Sequence, residues 1–177
     1  MQAEPVPSIA IEPRPKLRIL LVSNMFPPDA DGGLEVNAEK VATGLRTRGH
    51  DVTVLTSRFR GEYAGPNEHR PWVVRALDLA APQSALPQGG SKLALASMFA
   101  RETTCHRRNL SVAKRHLAER EYDVAYTFGL SRIGPALMAA VQERGIPILW
   151  HQGGSYLEDR WTQWTGASRI ALLFRKM

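Results

Sequence analysis

Two short runs of apolar and β-branched residues, Leu17 to Ser23 (LRILLVS) and Asp51 to Thr56 (DVTVLT), are separated by one stretch with helical spacing, in which Leu34, Ala38, Val41, Ala42 and Leu45 recur on a single face. A short, nearly continuous apolar run is how a strand buried on both faces of a sheet reads in sequence. Gly49 stands where a helix C-terminal cap belongs. Strand, helix and strand in that order within forty residues form a crossover unit, and two strands joined by a crossover lie parallel. The chain is therefore expected to build a parallel sheet covered by helices.

The alternation continues downstream. Gly61, Gly65 and Pro66 break the segment after the second strand into loop, and Pro71 precedes a predicted strand at Trp72 to Leu77. Pro82, Pro87, Gly89 and Gly90 form a second loop. A long helical pattern follows from about Ser91 to Glu121, with Leu95, Phe99, Leu110, Ala113 and Leu117 on one face. Asp123 to Thr127 reads as a strand and Ile133 to Arg144 as a helix. Gly145 then precedes a strand at Ile146 to Trp150. Beyond it lie a glycine pair, a Trp-containing stretch and an apolar, basic segment from Ile170 to Lys176. The fold class this implies is α/β, a Rossmann-like parallel sheet flanked by helices.

At 177 residues with 44% hydrophobic and 23% charged, the chain has length and apolar content for one proper core. Its formal charge of +6 favours anionic partners without choosing among nucleic acid, phosphorylated sugars and an acidic membrane surface. Cys105 is the sole cysteine, which excludes an intramolecular disulfide and suits a reducing cytoplasm. Residues 1–16 carry Pro5, Pro7, Pro13 and Pro15 without the apolar run of a signal peptide, and read as an unstructured tail. No apolar stretch approaches the ~18 residues of a membrane span, so membrane contact is expected to be peripheral.

In open parallel sheets ligands collect beyond the carboxyl ends of the strands, and the loop after the first strand runs straight into a helix. Gly32 and Gly33 stand at that helix's start. Without side chains they let a ligand approach the backbone, where first-turn amides and the helix dipole favour phosphate. Two readings are open: a phosphate-facing loop, or a pair of glycines that only makes a tight turn. Glu35 complements the helix amino terminus in either. The nicotinamide fingerprint Gly-x-Gly-x-x-Gly is absent after this strand.

The segment KLRILLVSNMFPPDADGGLEVNAEKVATGLRTRGHDVTVLTSR resembles the opening of glycosyltransferase family 4. The strand, Phe26-Pro27-Pro28, the Gly32-Gly33 pair with Glu35, Arg48-Gly49-His50 and the strand VTVLT keep that family's order and spacing. The resemblance implies the GT-B arrangement, in which two Rossmann-like domains face across a cleft, the first holding mainly the acceptor and the second mainly the nucleotide-sugar donor. Only the first is matched. The organisation expected is thus a Pro-rich tail over 1–16 and a family 4-like N-terminal domain over 17–177, incomplete at its C-terminus and without the donor-binding domain. By the same resemblance Gly32 and Gly33 face the donor diphosphate or an acceptor phosphate.

Two histidines stand near strand ends. His50 lies between the capping glycine and the second strand, away from the carboxyl ends, and reads as structural. His151 follows the Ile146–Trp150 strand at its carboxyl end and precedes Gly153 and Gly154. HQGGSY resembles the family segment whose histidine lies near the reacting sugar, which makes His151 the candidate catalytic residue and Gly153 and Gly154 candidates for making room for substrate. A neutral imidazole there can accept a proton or hold a hydroxyl; the bland alternative is a histidine hydrogen-bonded at a strand end. Where many relatives carry Asp-Val-Val-His-x-His, this chain has Asp123-Val124-Ala125-Tyr126-Thr127-Phe128. Tyr126 and Phe128 therefore read either as sugar-stacking rings or, preferably, as packing.

Between Arg101 and Arg120 the long helix carries Arg101, Arg107, Arg108, Lys114, Arg115 and Arg120 against Glu102 and Glu119, an amphipathic basic pattern that fits either a solvated surface or an anionic membrane face. Nucleic-acid motifs are missing, so nucleic acid is not an expected partner. No Asp-x-Asp pair appears, and neither metal nor cofactor is expected, the nucleotide-diphosphate sugar being a substrate. Cys105 reads as an ordinary helical thiol.

The expected activity is transfer of a hexose from a nucleotide-diphosphate sugar to a hydroxyl on a glycan or lipid-linked acceptor, in the cytoplasm or on the inner membrane face. The isolated chain is expected to turn over little. The alternatives are a non-catalytic acceptor-binding or regulatory module, one that could pair with a separately encoded donor domain, and a truncated gene fragment.

Overall fold

A computed structural model describes residues 15–59, 70–80 and 92–151. Five strands, β1 (Arg18–Ser23), β2 (Asp51–Ser57), β3 (Val73–Leu77), β4 (Val124–Phe128) and β5 (Ile148–His151), form one sheet. Its order is β3-β2-β1-β4-β5 and every pairing is parallel. Three helices connect them: α1 (Gly33–Thr47), α2 (Lys92–Glu119) and α3 (Ala136–Glu143). The Rossmann-like α/β class expected from the sequence is the class found.

β1 shows why both faces are covered. Ile19 and Leu21 join Ala38 and Ala42 of α1, whereas Leu20 and Val22 join Ala113 and Leu117 of α2 and Leu137 and Val141 of α3. All four β1 residues are buried, as alternation across a pleat demands when each face has its own helical layer.

Several boundaries differ from the sequence reading for local reasons. β3 and β4 start one residue later than expected, and β4 runs on to Phe128. α3 begins at Ala136 rather than Ile133 because Gly134 takes a left-handed φ of 83° and Pro135 follows it. β5 starts at Ile148, after Pro147, and includes His151. It is an edge strand, and Leu149 and Trp150 are 55% and 42% exposed.

The buried stripe of α2 also needs correction. It runs through Cys105, Asn109, Ala113 and Leu117, at i, i+4 spacing, while Phe99 is exposed and Leu110 only half-buried. A 28-residue helix is about 42 Å long, roughly twice the length of strands of five to seven residues. The amino-terminal part of α2 therefore overhangs the carboxyl ends of the sheet, and Phe99 has no sheet beneath it. Of the other stretches read from sequence, the side chain of Leu95, the loops within 60–69 and 81–91, the tail residues 1–14 and everything from 152 on lie outside the described residues.

The amino ends of the central strands are tied electrostatically. Asp123 accepts from the Arg18 amide at 2.7 Å and from its guanidinium at 2.7 and 3.3 Å, and Glu121 binds the same guanidinium at 2.6 Å. The Arg18 side-chain bonds, then its backbone amide, hold the Asp123 carboxyl down to about 2. Because the folded state favours the ionised form, this stabilisation is full above the ordinary aspartate range and is lost as the pH falls from about 4 to about 2. Urea midpoints measured across that window are expected to drop more steeply for the wild type than for Asp123→Asn.

Candidate functional site

β1 lies between β2 and β4, so the connections leaving β1 and β4 diverge to opposite faces. This opens the crevice in which doubly wound sheets bind ligands. From β1 the chain passes through Asn24, Met25 and Phe26, crosses a cis Pro27-Pro28 bond, and enters α1 at Gly32 and Gly33.

Gly32 is the residue preceding α1 and Gly33 is its first. Gly32 has φ −172°, extended backbone open to any residue, and Gly33 is not among the positive-φ glycines. A Cβ on Gly32 would come no closer than 3.9 Å to Glu35 Oε2, and one on Gly33 would meet nothing within 4 Å. Among the described residues, neither backbone strain nor internal crowding therefore requires glycine at these positions. The Gly32 amide donates to Glu35 Oε2 at 3.1 Å, which takes it out of play for a ligand. The amides of Gly33 and Leu34 lie in the first helical turn, where no intrahelical acceptor exists.

Two side chains absent from the sequence reading hold this end of the sheet together. Asn24, 6% exposed, donates from Nδ2 to Ser131 Oγ at 3.0 Å, and its Oδ1 accepts from the Arg132 and Ile133 amides at 3.2 Å each. It clasps the β1 loop to the β4 loop across the crevice. Arg75, on β3, buries its guanidinium and donates to the carbonyls of Phe26 at 2.9 Å and Pro27 at 2.8 Å, with Asp29 Oδ2 at 3.5 Å. The signal for Arg75 was a lone arginine in an otherwise apolar strand; for Asn24, a polar residue where the buried run ends.

His151 pairs in register with Phe128 and stacks on it, ring centroids 4.6 Å apart at 20°. Its Nδ1 lies 3.4 Å from the Tyr126 hydroxyl, and Tyr126 in turn contacts Phe128 at 4.6 Å. Phe128 is fully buried, so the packing preferred for it from sequence holds; Tyr126 is half-buried. The cluster belongs to the α1 side of the sheet. Gly129, at φ 65°, brings the backbone so close to α1 that a Cβ there would lie 2.7 Å from Leu34 Cδ2. The first turn of α1 and the His151 cluster thus meet at one end and on one face of the sheet. Gly153 and Gly154 lie outside the described residues.

The remaining candidates sort plainly. His50 Nδ1 accepts from the Leu17 amide at 3.2 Å, at the amino end of the strands, a structural role. Cys105 is buried with its Sγ 3.3 Å from the Asp78 carbonyl; burial first, and the nearby Asp78 charge second, push its thiol up, away from thiolate chemistry. The basic residues between Arg101 and Arg120 do not form one free face: Arg108 lies 3.7 Å from Asp78, Lys114 pairs with Glu143 at 2.9 Å and Arg120, just past α2, with Asp51 at 2.7 Å. Among the described residues, no three His, Cys, Asp or Glu side chains cluster as metal ligands, and no helix is long and apolar enough to cross a membrane.

The protein-family model described as "Glycosyl transferase 4-like domain" matches residues 32–176. No curated protein sequence matches the chain. Similar solved structures include two of the C-terminal domain of a hydrogenase from Pyrococcus furiosus. One is 18% identical with a TM-score of 0.46, covering 81% of this chain and 100% of that one. The other is 20% identical with a TM-score of 0.47, covering 84% and 97%.

The buried Arg75 generates a test of the loop's anchoring. Arg75→Met keeps the volume but leaves the Phe26 and Pro27 carbonyls without their donor, and is expected to cost about 1–3 kcal/mol of stability by urea denaturation.

Proposed function

Because the chain belongs to the glycosyl transferase 4-like domain family, we propose that it is the acceptor-side domain of an enzyme transferring a hexose from a nucleotide-diphosphate sugar to a hydroxyl acceptor, working with a donor-binding domain. The observation that carries this reading is the glycine pair, which nothing among the described residues requires. Glycine at Gly33, in open space at a helix start beside the switch crevice, is what close approach by an external group would demand.

The chemistry follows from the residues present. Transfer breaks the bond between the anomeric carbon and the diphosphate oxygen, which departs with the bonding electrons, and joins that carbon to the acceptor oxygen. Negative charge growing on the diphosphate is stabilised by the Gly33 and Leu34 amides and the positive end of α1, preset donors that need no reorganisation. Glu35 turns its carboxylate back onto the Gly32 amide, so its charge is partly neutralised where an anion would arrive. His151, its ring fixed by the Phe128 stack and steered by the Tyr126 hydroxyl, holds the acceptor hydroxyl or receives its proton.

A steric test separates this reading from a glycine pair of structural origin. Gly33→Val adds a side chain where none of the described residues stands, so the thermal midpoint is expected to stay within about 2 °C, a change under ~0.5 kcal/mol. Affinity of the chain for inorganic pyrophosphate, the probe for a donor diphosphate, is expected to fall about tenfold or more by calorimetry. Unchanged affinity in a folded variant would refute the ligand-facing loop.

A further inference from the structure

On the α2 side of the switch crevice lies an open cavity of about 730 Å³, within the range of small-molecule sites. Its walls come from the residues just beyond β2 and β3 and from the overhanging part of α2, with Arg132 closing it from the loop after β4. Arg58, Arg101, Arg108 and Arg132 line it against one carboxylate, Asp78. Among the described residues, four guanidinium groups face Asp78 in the wall and Asp31 beside Arg132, which leaves the concave surface net positive.

The frame around these charges is built rather than incidental. Asn109, 1% exposed, accepts from the Asp78 amide at 2.7 Å and donates to the Asp78 carbonyl at 2.9 Å and the Ile133 carbonyl at 2.8 Å. It fixes the end of β3, α2 and the β4 loop to one another. Arg132 is tied to Ala80 twice, through its Nε to the Ala80 carbonyl at 3.0 Å and through its own carbonyl from the Ala80 amide at 2.8 Å. Asp78 engages Arg58 at 2.7 Å and Arg108 at 3.7 Å, holding two guanidinium groups at the wall without neutralising the set. The side chain of Arg101, exposed on the overhang, has no hydrogen bond or ion pair among the described residues.

We propose that this cavity binds a phosphate group carried by the acceptor, with Arg101 and Arg108 as its principal contacts. Guanidinium forks match phosphate oxygens two at a time, and a concave wall with uncompensated charge concentrates the field that draws an anion in. Arg132 also reaches Asp31 Oδ2 at 3.4 Å, immediately before Gly32, so the cavity adjoins the loop assigned to the donor diphosphate. The proposal deepens the transferase reading and rests on it for the word acceptor; the binding of phosphate does not. The phosphate belongs to either a soluble phosphorylated sugar or a lipid headgroup.

The test has two arms on the full chain. In the first, inorganic phosphate is titrated calorimetrically into wild type and into R101A/R108A; in the second, the same proteins are sedimented with phosphatidylcholine vesicles containing phosphatidic acid. R107A/R115A, which alters exposed arginines outside the cavity, is the control. The cavity variant is expected to lose affinity at least about tenfold in one arm while the control keeps it. Loss in the first arm alone identifies a soluble phosphate. Loss in the second, with release of the vesicles by free phosphate, identifies a headgroup. The proposal is overturned by absence of binding in both arms, by binding that survives R101A/R108A in both arms, or by binding that vanishes in R107A/R115A. Phosphate bound by the cavity in a protein whose Gly33→Val variant still binds pyrophosphate normally would refute the donor loop and leave the cavity standing.

Discussion

Burial of β1 on both faces is the constraint on which the rest depends. A strand with Ile19 and Leu21 toward one helical layer and Leu20 and Val22 toward another needs helices on both faces of its sheet, and β1 sits at the centre of that arrangement. Its parallel partners β2 and β4 then reach it through helices, and those helices leave on opposite sides. The crevice at the carboxyl end of β1 is the geometric remainder of that arrangement. Two features exploit it: the first turn of α1 on one side and the arginine-lined cavity on the other.

The crevice stays open because polar side chains bridge it at defined points. Asn24 ties the β1 loop to the β4 loop, Asn109 ties α2 to both β3 and the β4 loop, and Arg75 pins the turn around Phe26 and Pro27 from two strands away. Asn109 and Arg75 place buried donors against backbone carbonyls, and the Asn24 Oδ1 accepts from two backbone amides, groups that would otherwise be desolvated without a partner, so each penalises closure or slippage of the loops. The strand amino ends, by contrast, are joined by exposed ion pairs such as Arg18 with Asp123 and Glu121.

The strands and helices were legible because their signals are local. LRILLVS, DVTVLT and the spacing from Leu34 to Leu45 need no knowledge of distant residues to be read. Phe99 misled because a periodic pattern says which residues share a face and not whether a sheet lies under that turn. α3 was read too long because Ile133 fits the helical period, while the left-handed Gly134 that breaks it became visible only in the backbone. The Gly32-Gly33 start of α1 and the placement of His151 could be read from spacing and resemblance. Asn24, Arg75 and the four-arginine cavity could not, because their partners lie tens of residues away: 49 in the case of Arg75 and Phe26. The loss of the Gly32 amide to Glu35 was equally hidden, since it depends on a rotamer.

The central claim is that the first turn of α1 and the His151 cluster are one ligand-facing surface. The most direct measurement is a titration of the isotopically labelled chain with uridine diphosphate, and separately guanosine diphosphate, followed by nuclear magnetic resonance. The account requires the Gly33 and Leu34 amides and the His151 ring to shift together on one isotherm with at least one of the two. If both nucleotides leave these resonances still while shifting others, or if Gly33 and His151 titrate independently, the surface assigned here is not a single site.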